Sequence, residues 1–178
     1  MSYLLVAGIV VVSVIMTARR ELKRLARQTS AASKPQSSMN LPPDSQASFI
    51  VCTFSMLGKL VEADGQVSKE EVDRVERYMD LHLKLDTKTK SLAMQVFRDA
   101  AASPLELRDY AEKFQSTFPD SVQRIDRMVE ILVEVSAADG VLAPKEEKLI
   151  RSAALLLGVS EPAFERIKSR HVRPEMLQ

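Results

Sequence analysis

The chain holds a single cysteine, Cys52. It lies among apolar residues with no CxxC or Cys/His companion, which excludes both a disulfide framework and a zinc-thiolate site. A reducing compartment is the consistent setting. Tryptophan is absent, there are only five glycines, and aromatic residues make up 5% of the sequence. A sandwich or barrel needs more turn glycines and strand-forming aromatics, whereas the abundant Ala, Leu, Val, Glu and Lys suit helices. No strand-like alternation of useful length occurs, so the expected class is all-α. The 178 residues, 46% of them hydrophobic, suffice for one core but not for two.

Catalytic signatures are missing too. GxSxG, HExxH, a Walker loop and GxGxxG do not occur. The two histidines, His82 and His171, fall on the polar side or at the end of their helices, without an acid–base or ligand partner at diagnostic spacing. Met56, Met79, Met94 and Met128 stand at core spacing and read as packing. Nothing nominates a nucleophile, and no enzymatic activity is expected.

Charge of either sign is avoided over residues 3–18, "YLLVAGIVVVSVIMTA". As a helix it would cover roughly 24 Å, slightly short for a span, but Met1 and Ser2 extend it and Arg19 and Arg20 can snorkel. A cleaved signal would carry its positive charge before the apolar run, and here the order is reversed. Residues 1–18 are therefore expected to be a retained transmembrane anchor, with the N-terminus outside and everything that follows cytoplasmic. Residues 19–34 hold Arg19, Arg20, Lys23, Arg24, Arg27 and Lys34 against Glu21. That leaves 19 basic against 23 acidic residues beyond Lys34, a balance of −4 behind the overall +1. No aromatics interleave the basic collar, so anionic lipid head groups, not nucleic acid, are its expected partner. Within residues 19–46, "QTSAASKPQSSMNLPPDSQ" is rich in Ser, Pro and Gln and reads as a flexible tether.

From residue 47 to residue 170, apolar residues recur at helical spacing. The first stripes are Ile50, Phe54, Leu57 and Val61, then Val72, Val75 and Met79, then Leu92, Val96 and Ala100. The fourth runs Leu107, Tyr110, Ala111 and Phe114, and the fifth Ile125, Met128, Val129, Leu132 and Val135. Leu149, Ala153, Leu156 and Leu157 make the sixth, and Phe164 with Ile167 the last. Seven helices are predicted, packed as an antiparallel or orthogonal bundle, with residues 171–178 as a tail. Ser68, Ser103 and Asp120 are predicted N-caps, each followed three residues on by Glu or Gln, and Pro104 and Pro144 suit first helical positions. Gly65, Gly140 and Gly158 are placed to end helices, and Gly58 to admit a close helix contact.

"EADGQVSKEE" at residue 62 returns as "AADGVLAPKEE" at residue 137. At an offset of 75, Ala63, Asp64, Gly65, Val67 and Glu71 superimpose on Ala138, Asp139, Gly140, Leu142 and Glu146. Helix–turn–helix geometry explains the glycine, the apolar plug and the capping glutamate. It leaves the aspartate over, because a carboxylate on the last turn of a helix meets the negative end of the macrodipole and calls for a cation. The spacing from Asp to Glu equals the last eight positions of an EF-hand loop. Leu60 or Val135 occupies the first ligand position, however, so an ordinary calcium loop is not expected. The remaining arrangement is an approximate two-fold that brings Asp64, Glu71, Asp139 and Glu146 into one oxygen-rich patch. With no Cys or His in the set, Ca²⁺, Mg²⁺ or Mn²⁺ would be preferred to Zn²⁺.

These paired motifs, together with "LLLGVSEPAFERI" after the second, resemble the TerB-like domain of tellurite-resistance proteins, in particular the membrane-anchored region of DjlA-type co-chaperones. The resemblance covers about residues 47–168. It implies a compact all-helical fold with a pseudo-two-fold repeat, and a metal-binding patch at Asp64, Glu71, Asp139 and Glu146. It also implies single-pass anchoring in the inner membrane and a protein partner. The His-Pro-Asp tripeptide by which the co-chaperones' J-domain stimulates an Hsp70 is not present, so that activity is not carried over. Two readings follow. One is a membrane-anchored module that binds or senses a divalent cation in a tellurite or envelope stress response. The other is a scaffold whose Ala-Asp-Gly turns only punctuate helices and whose partner docks on its surface.

Overall fold

The computed structural model describes residues 43–62, 67–119 and 121–173, together with residues 20, 21 and 24. The expected anchor at residues 1–18, nearly all of the expected tether, and the first Ala-Asp-Gly turn lie outside these. Among the described residues no helix is long and apolar enough to cross a membrane.

Seven α-helices and no strand occur among the described residues. They are α1 (Pro43–Glu62), α2 (Lys69–Tyr78), α3 (Thr87–Ala101), α4 (Leu107–Thr117), α5 (Val122–Ser136), α6 (Pro144–Leu156) and α7 (Glu161–Lys168). Each corresponds to one predicted stripe. α1 begins inside the stretch read as tether, and at the other end Val172 is buried although the sequence placed it in a tail.

α1 is the axis of the fold. A surface helix buries one stripe, but every residue of α1 from Ala47 to Leu60 is buried, as α3, α4, α5 and α6 all pack against it. The predicted stripe of four was therefore too narrow. Ser48, Thr53 and Ser55 are buried as well, and Thr53 Oγ1 returns its hydrogen bond to Phe49 O at 2.7 Å within the same helix. Gly58 has the steric role expected of it, since a Cβ there would lie 2.2 Å from Phe97 O of α3. Around this axis the core collects Phe54, Phe97, Phe114 and Phe164, all essentially inaccessible.

Helix boundaries follow local capping chemistry, in part from unexpected residues. Ser68 caps α2 in a full capping box with Glu71, and Pro144 opens α6. Gly140 and Gly158 take left-handed conformations, with φ of +91° and +84°. Ser103 does not start a helix. Its Oγ accepts from Leu105 N–H, Pro104 stays in the turn, and α4 starts at Leu107 behind Glu106, whose N–H donates to Asp109 Oδ2 at 2.7 Å. The Ser103 carbonyl accepts from Lys59 Nζ of α1 at 3.0 Å. Ser121, not Asp120, immediately precedes α5, and Asp120 lies outside the described residues. α3 owes its start to Asp86, which accepts from the backbone N–H groups of Lys88 and Thr89. Between α2 and α3 the chain passes through a π-helical turn, Met79–Leu83, which ends at Lys84 with φ of +49°.

Candidate functional site

The second Ala-Asp-Gly turn is fully described, and it revises the argument about its aspartate. α5 ends at Ser136 with Ala137 as its cap, so Asp139 lies beyond the helix, not on its last turn. Its Oδ1 accepts from Val141 N–H at 2.9 Å, an Asx-type turn in which the carboxylate is used by its own backbone. The Arg173 side chain packs across Gly140, and Arg173 N–H donates to Gly140 O at 3.1 Å. The cationic side chain at this turn is thus set against its glycine.

Glu71 and Glu146 occupy equivalent places, the third residue of α2 and of α6. Glu71 Oε2 accepts from Ser68 N–H at 2.7 Å and from Ser68 Oγ at 2.8 Å. Glu146 is half-buried, and Asp139 is exposed. Asp64 lies outside the described residues. Among those described, no three His, Cys, Asp or Glu side chains are grouped so as to hold a metal ion, so Glu71, Asp139 and Glu146 do not form such a group by themselves.

The histidines have acidic neighbours that sequence spacing did not reveal. His82 Nδ1 is 3.4 Å from Glu134 Oε1, and its ring stacks on Tyr78 with centroids 4.9 Å apart. His171 Nε2 is 3.7 Å from Glu130 Oε1. Both glutamates project from α5, between them Arg127 bonds Glu130 Oε2 and the Tyr78 hydroxyl, and Arg170 reaches Glu130 Oε1. Burial pushes the Tyr78 hydroxyl well above its ordinary range; Arg127 opposes that shift and Glu134 adds to it. For Glu130, burial would raise the carboxyl, but the bonds from Arg127 and Arg170 prevail and hold it below the usual range. The seam ties α2, the π-helical turn after it and the residues after α7 to α5, through partners 40 to 52 positions apart in sequence.

A third feature is open to solvent. A groove of ≈ 1000 Å³ runs between the C-terminal end of α1, the turn from Ser103 to Arg108, and one face of α6. On α6 the lining residues recur at helical spacing. Lys145 and Lys148 come at the N-terminal end, then Leu149, Ser152, Ala153 and Leu156. Leu105 of the turn and Leu107 at the start of α4 line the side across from them. Leu149 and Leu156, read as core from the sequence, are only half-buried and line this groove. Lys59 is fixed at the rim, with Nζ 2.7 Å from Glu62 Oε2. Arg108 stands outside with Nε 3.1 Å from Glu112 Oε1. The α6 pattern was visible in the sequence, but its pairing with the Ser103–Arg108 turn was not.

The arrangement is a seven-helix all-α domain, by its described residues, wound about a buried central helix and carrying an open groove beside α6. The chain belongs to the family described as tellurite resistance protein TerB, which matches residues 51–169. Its curated relatives include co-chaperone protein DjlA of Vibrio cholerae serotype O1, 30% identical over 121 residues, which are 68% of this chain and 42% of the relative. DjlA of Pectobacterium atrosepticum is 29% identical over 120 residues, 67% of this chain and 41% of that one. DjlA of Haemophilus ducreyi is 26% identical over 122 residues, 68% and 42% respectively. The chain therefore spans about two fifths of the length of these relatives. No solved structure matches.

Proposed function

We propose that the chain is a membrane-tethered TerB domain that docks a protein partner and performs no catalysis of its own. The observation that carries this reading is the groove along α6, a concave surface with a leucine-rich floor and a charged rim, open to solvent. The uncharged run at residues 3–18, followed by the basic collar, supports a single span in the inner membrane with the domain on the cytoplasmic side. The name of the relatives, co-chaperone protein DjlA, is in keeping with work done through other proteins.

The test is site-specific photocrosslinking of the full-length chain in intact cells. A photoreactive residue at Ser152, inside the groove, is expected to yield a discrete adduct, and one at exposed Asp73 of α2 none. Equal yields from the two positions overturn the reading.

Divalent-cation binding through Asp64, Glu71, Asp139 and Glu146 is a second proposal, supported by the equivalent placement of Glu71 and Glu146 at the starts of α2 and α6. Calorimetry with Ca²⁺, Mg²⁺ and Mn²⁺ is expected to show saturable binding that the double variant Asp64→Asn with Asp139→Asn removes. Identical heats in wild type and variant sink it.

A further inference from the structure

We infer that α2 is a latched arm and that Arg74 is its latch, a positioning residue that couples α2 to the second Ala-Asp-Gly turn. The inference is independent of the docking and cation readings above.

The latch is one hydrogen bond across the repeat. Arg74 Nη1 donates to Ser136 O at 3.0 Å, joining the helix that follows the first Ala-Asp-Gly motif to the last residue of the helix that precedes the second. Carbonyls of a helix's last turn have no partner within the helix and carry its partial negative charge. A guanidinium there both satisfies an acceptor and complements the dipole. Ser136 is buried and Arg74 half-buried, so the bond is shielded from water and stronger for it. The repeat itself does not demand this link. At the offset of 75, Arg74 corresponds to Leu149 and Ser136 to Val61, so the second half offers no side-chain donor at the equivalent place.

The arm is defined by the unequal hold on its two ends. At its C-terminal end α2 runs into the π-helical turn, where Met79 and Leu83 are buried, Asp80 accepts from Lys90 Nζ of α3 at 2.8 and 2.9 Å, and His82 faces Glu134. That end is fixed. Within α2 only Val75 and Tyr78 are buried, and Tyr78 adjoins the fixed end, where its hydroxyl accepts from Arg127. Towards the start Lys69, Glu70 and Asp73 are exposed, and Ser68 and Glu71 bond each other within the cap. A helix with so few buried apolar residues opens locally at lower cost than the core. When α2 opens, the Ser136 carbonyl loses its donor. It does so beside a turn whose Ala137, Gly140 and Val141 N–H groups donate to Val133 O, Ala137 O and Asp139 Oδ1. Opening of α2 therefore loosens the second turn and, because linkage is reciprocal, loosening that turn favours opening of α2.

Hydrogen–deuterium exchange of the full-length chain in phosphatidylcholine nanodiscs, resolved to single amides, tests the coupling. In the wild type the amides of α2 should exchange roughly tenfold or more faster than those of α1. Arg74→Met should speed α2, and the amides of Ala137, Gly140 and Val141, by about fivefold or more, with α1 and α3 unchanged. Arg74→Lys, which keeps a donor, should recover part of the protection at both places. Asp139→Ala, which releases the second turn without touching α2, should speed α2 as well. In the Arg74→Met background it should add nothing further at α2. An α2 that exchanges as slowly as α1 overturns the arm. Faster exchange at α2 with the second turn unchanged, or an Asp139→Ala effect on α2 that persists without Arg74, overturns the coupling. Equal acceleration in every helix assigns Arg74 to global stability and overturns the latch.

Discussion

Asp139 shows how much depends on three residues of helix length. Were α5 to run through it, the carboxylate would oppose the helix dipole. With α5 ending at Ser136, the same carboxylate accepts a backbone hydrogen bond and organises the turn. Asparagine retains the accepting oxygen and alanine does not. Asp139→Asn is accordingly expected to change stability by less than about 0.5 kcal/mol, and Asp139→Ala to cost about 0.5–1.5 kcal/mol. Urea titrations of both variants check the pair, and equal losses would refute the Asx-turn account. The neighbouring glycine is constrained twice. At φ of +91° an L side chain is strained, and a Cβ would press on the Arg173 side chain. Gly140→Ala should cost about 1–2 kcal/mol in the same titration, mostly from the backbone because the arginine can yield.

At the scale of the element, α1 and α6 depart from their sequence patterns in opposite directions. α1 is buried beyond its apolar stripe because four helices surround it, and small residues are what allow them to approach. Gly58→Ala is the sharp test. The added methyl meets the backbone carbonyl of Phe97 instead of a movable side chain, and a loss of about 1–3 kcal/mol is expected in thermal or urea unfolding. α6 is less buried than its stripe suggests. Leu149 and Leu156 satisfy helical periodicity equally well whether they face a core or a groove, since periodicity reports which residues share a face and not what covers it. Caps divide in the same way. Ser68 with Glu71 was legible as a box, while the start of α4 was not, because the Ser103 turn is anchored to Lys59, 44 positions earlier.

Across the whole molecule, two carboxylates clamp the end of α7 and Arg170 just after it to the helices before them. Glu130 on α5 is held by Arg127 and Arg170, and Glu147 on α6 by Arg151 and Lys168, the latter buried. Arg151 also pairs with Glu161 and Glu165 and lies over the Phe164 ring, so α6 and α7 share one ionic centre. Burial would raise the Glu147 carboxyl, but the bonds from Lys168 and Arg151 outweigh it and hold it below the ordinary carboxylate range, as at Glu130. A carboxyl depressed in the folded state contributes stability that is complete above its unfolded value and is lost as pH falls through the folded one. The wild type should therefore lose stability progressively as pH drops through and below the ordinary carboxylate range. Glu147→Gln should cost about 1–2 kcal/mol at neutral pH and show a shallower acid dependence. Melting curves across that range measure both, and an unchanged acid slope would show that Glu147 does not contribute.

Composition and periodicity by themselves determined the all-α class and the number of helices among the described residues, both of which depend on local preferences for backbone conformation. The tight fit at Gly58 and the left-handed Gly140 were legible for the same reason, since only glycine tolerates what those positions demand. Tertiary structure alone decided that α1 lies at the centre, that Asp139 bonds its own turn, that His82 and His171 face glutamates of α5, and that Leu149 and Leu156 line a groove. All but the Asp139 turn, a contact between neighbours that depends on where α5 stops, need residues brought together from distant parts of the chain. Spacing along one helix identifies a face, and only the packing of other helices settles whether that face is covered, charged or left open to a partner.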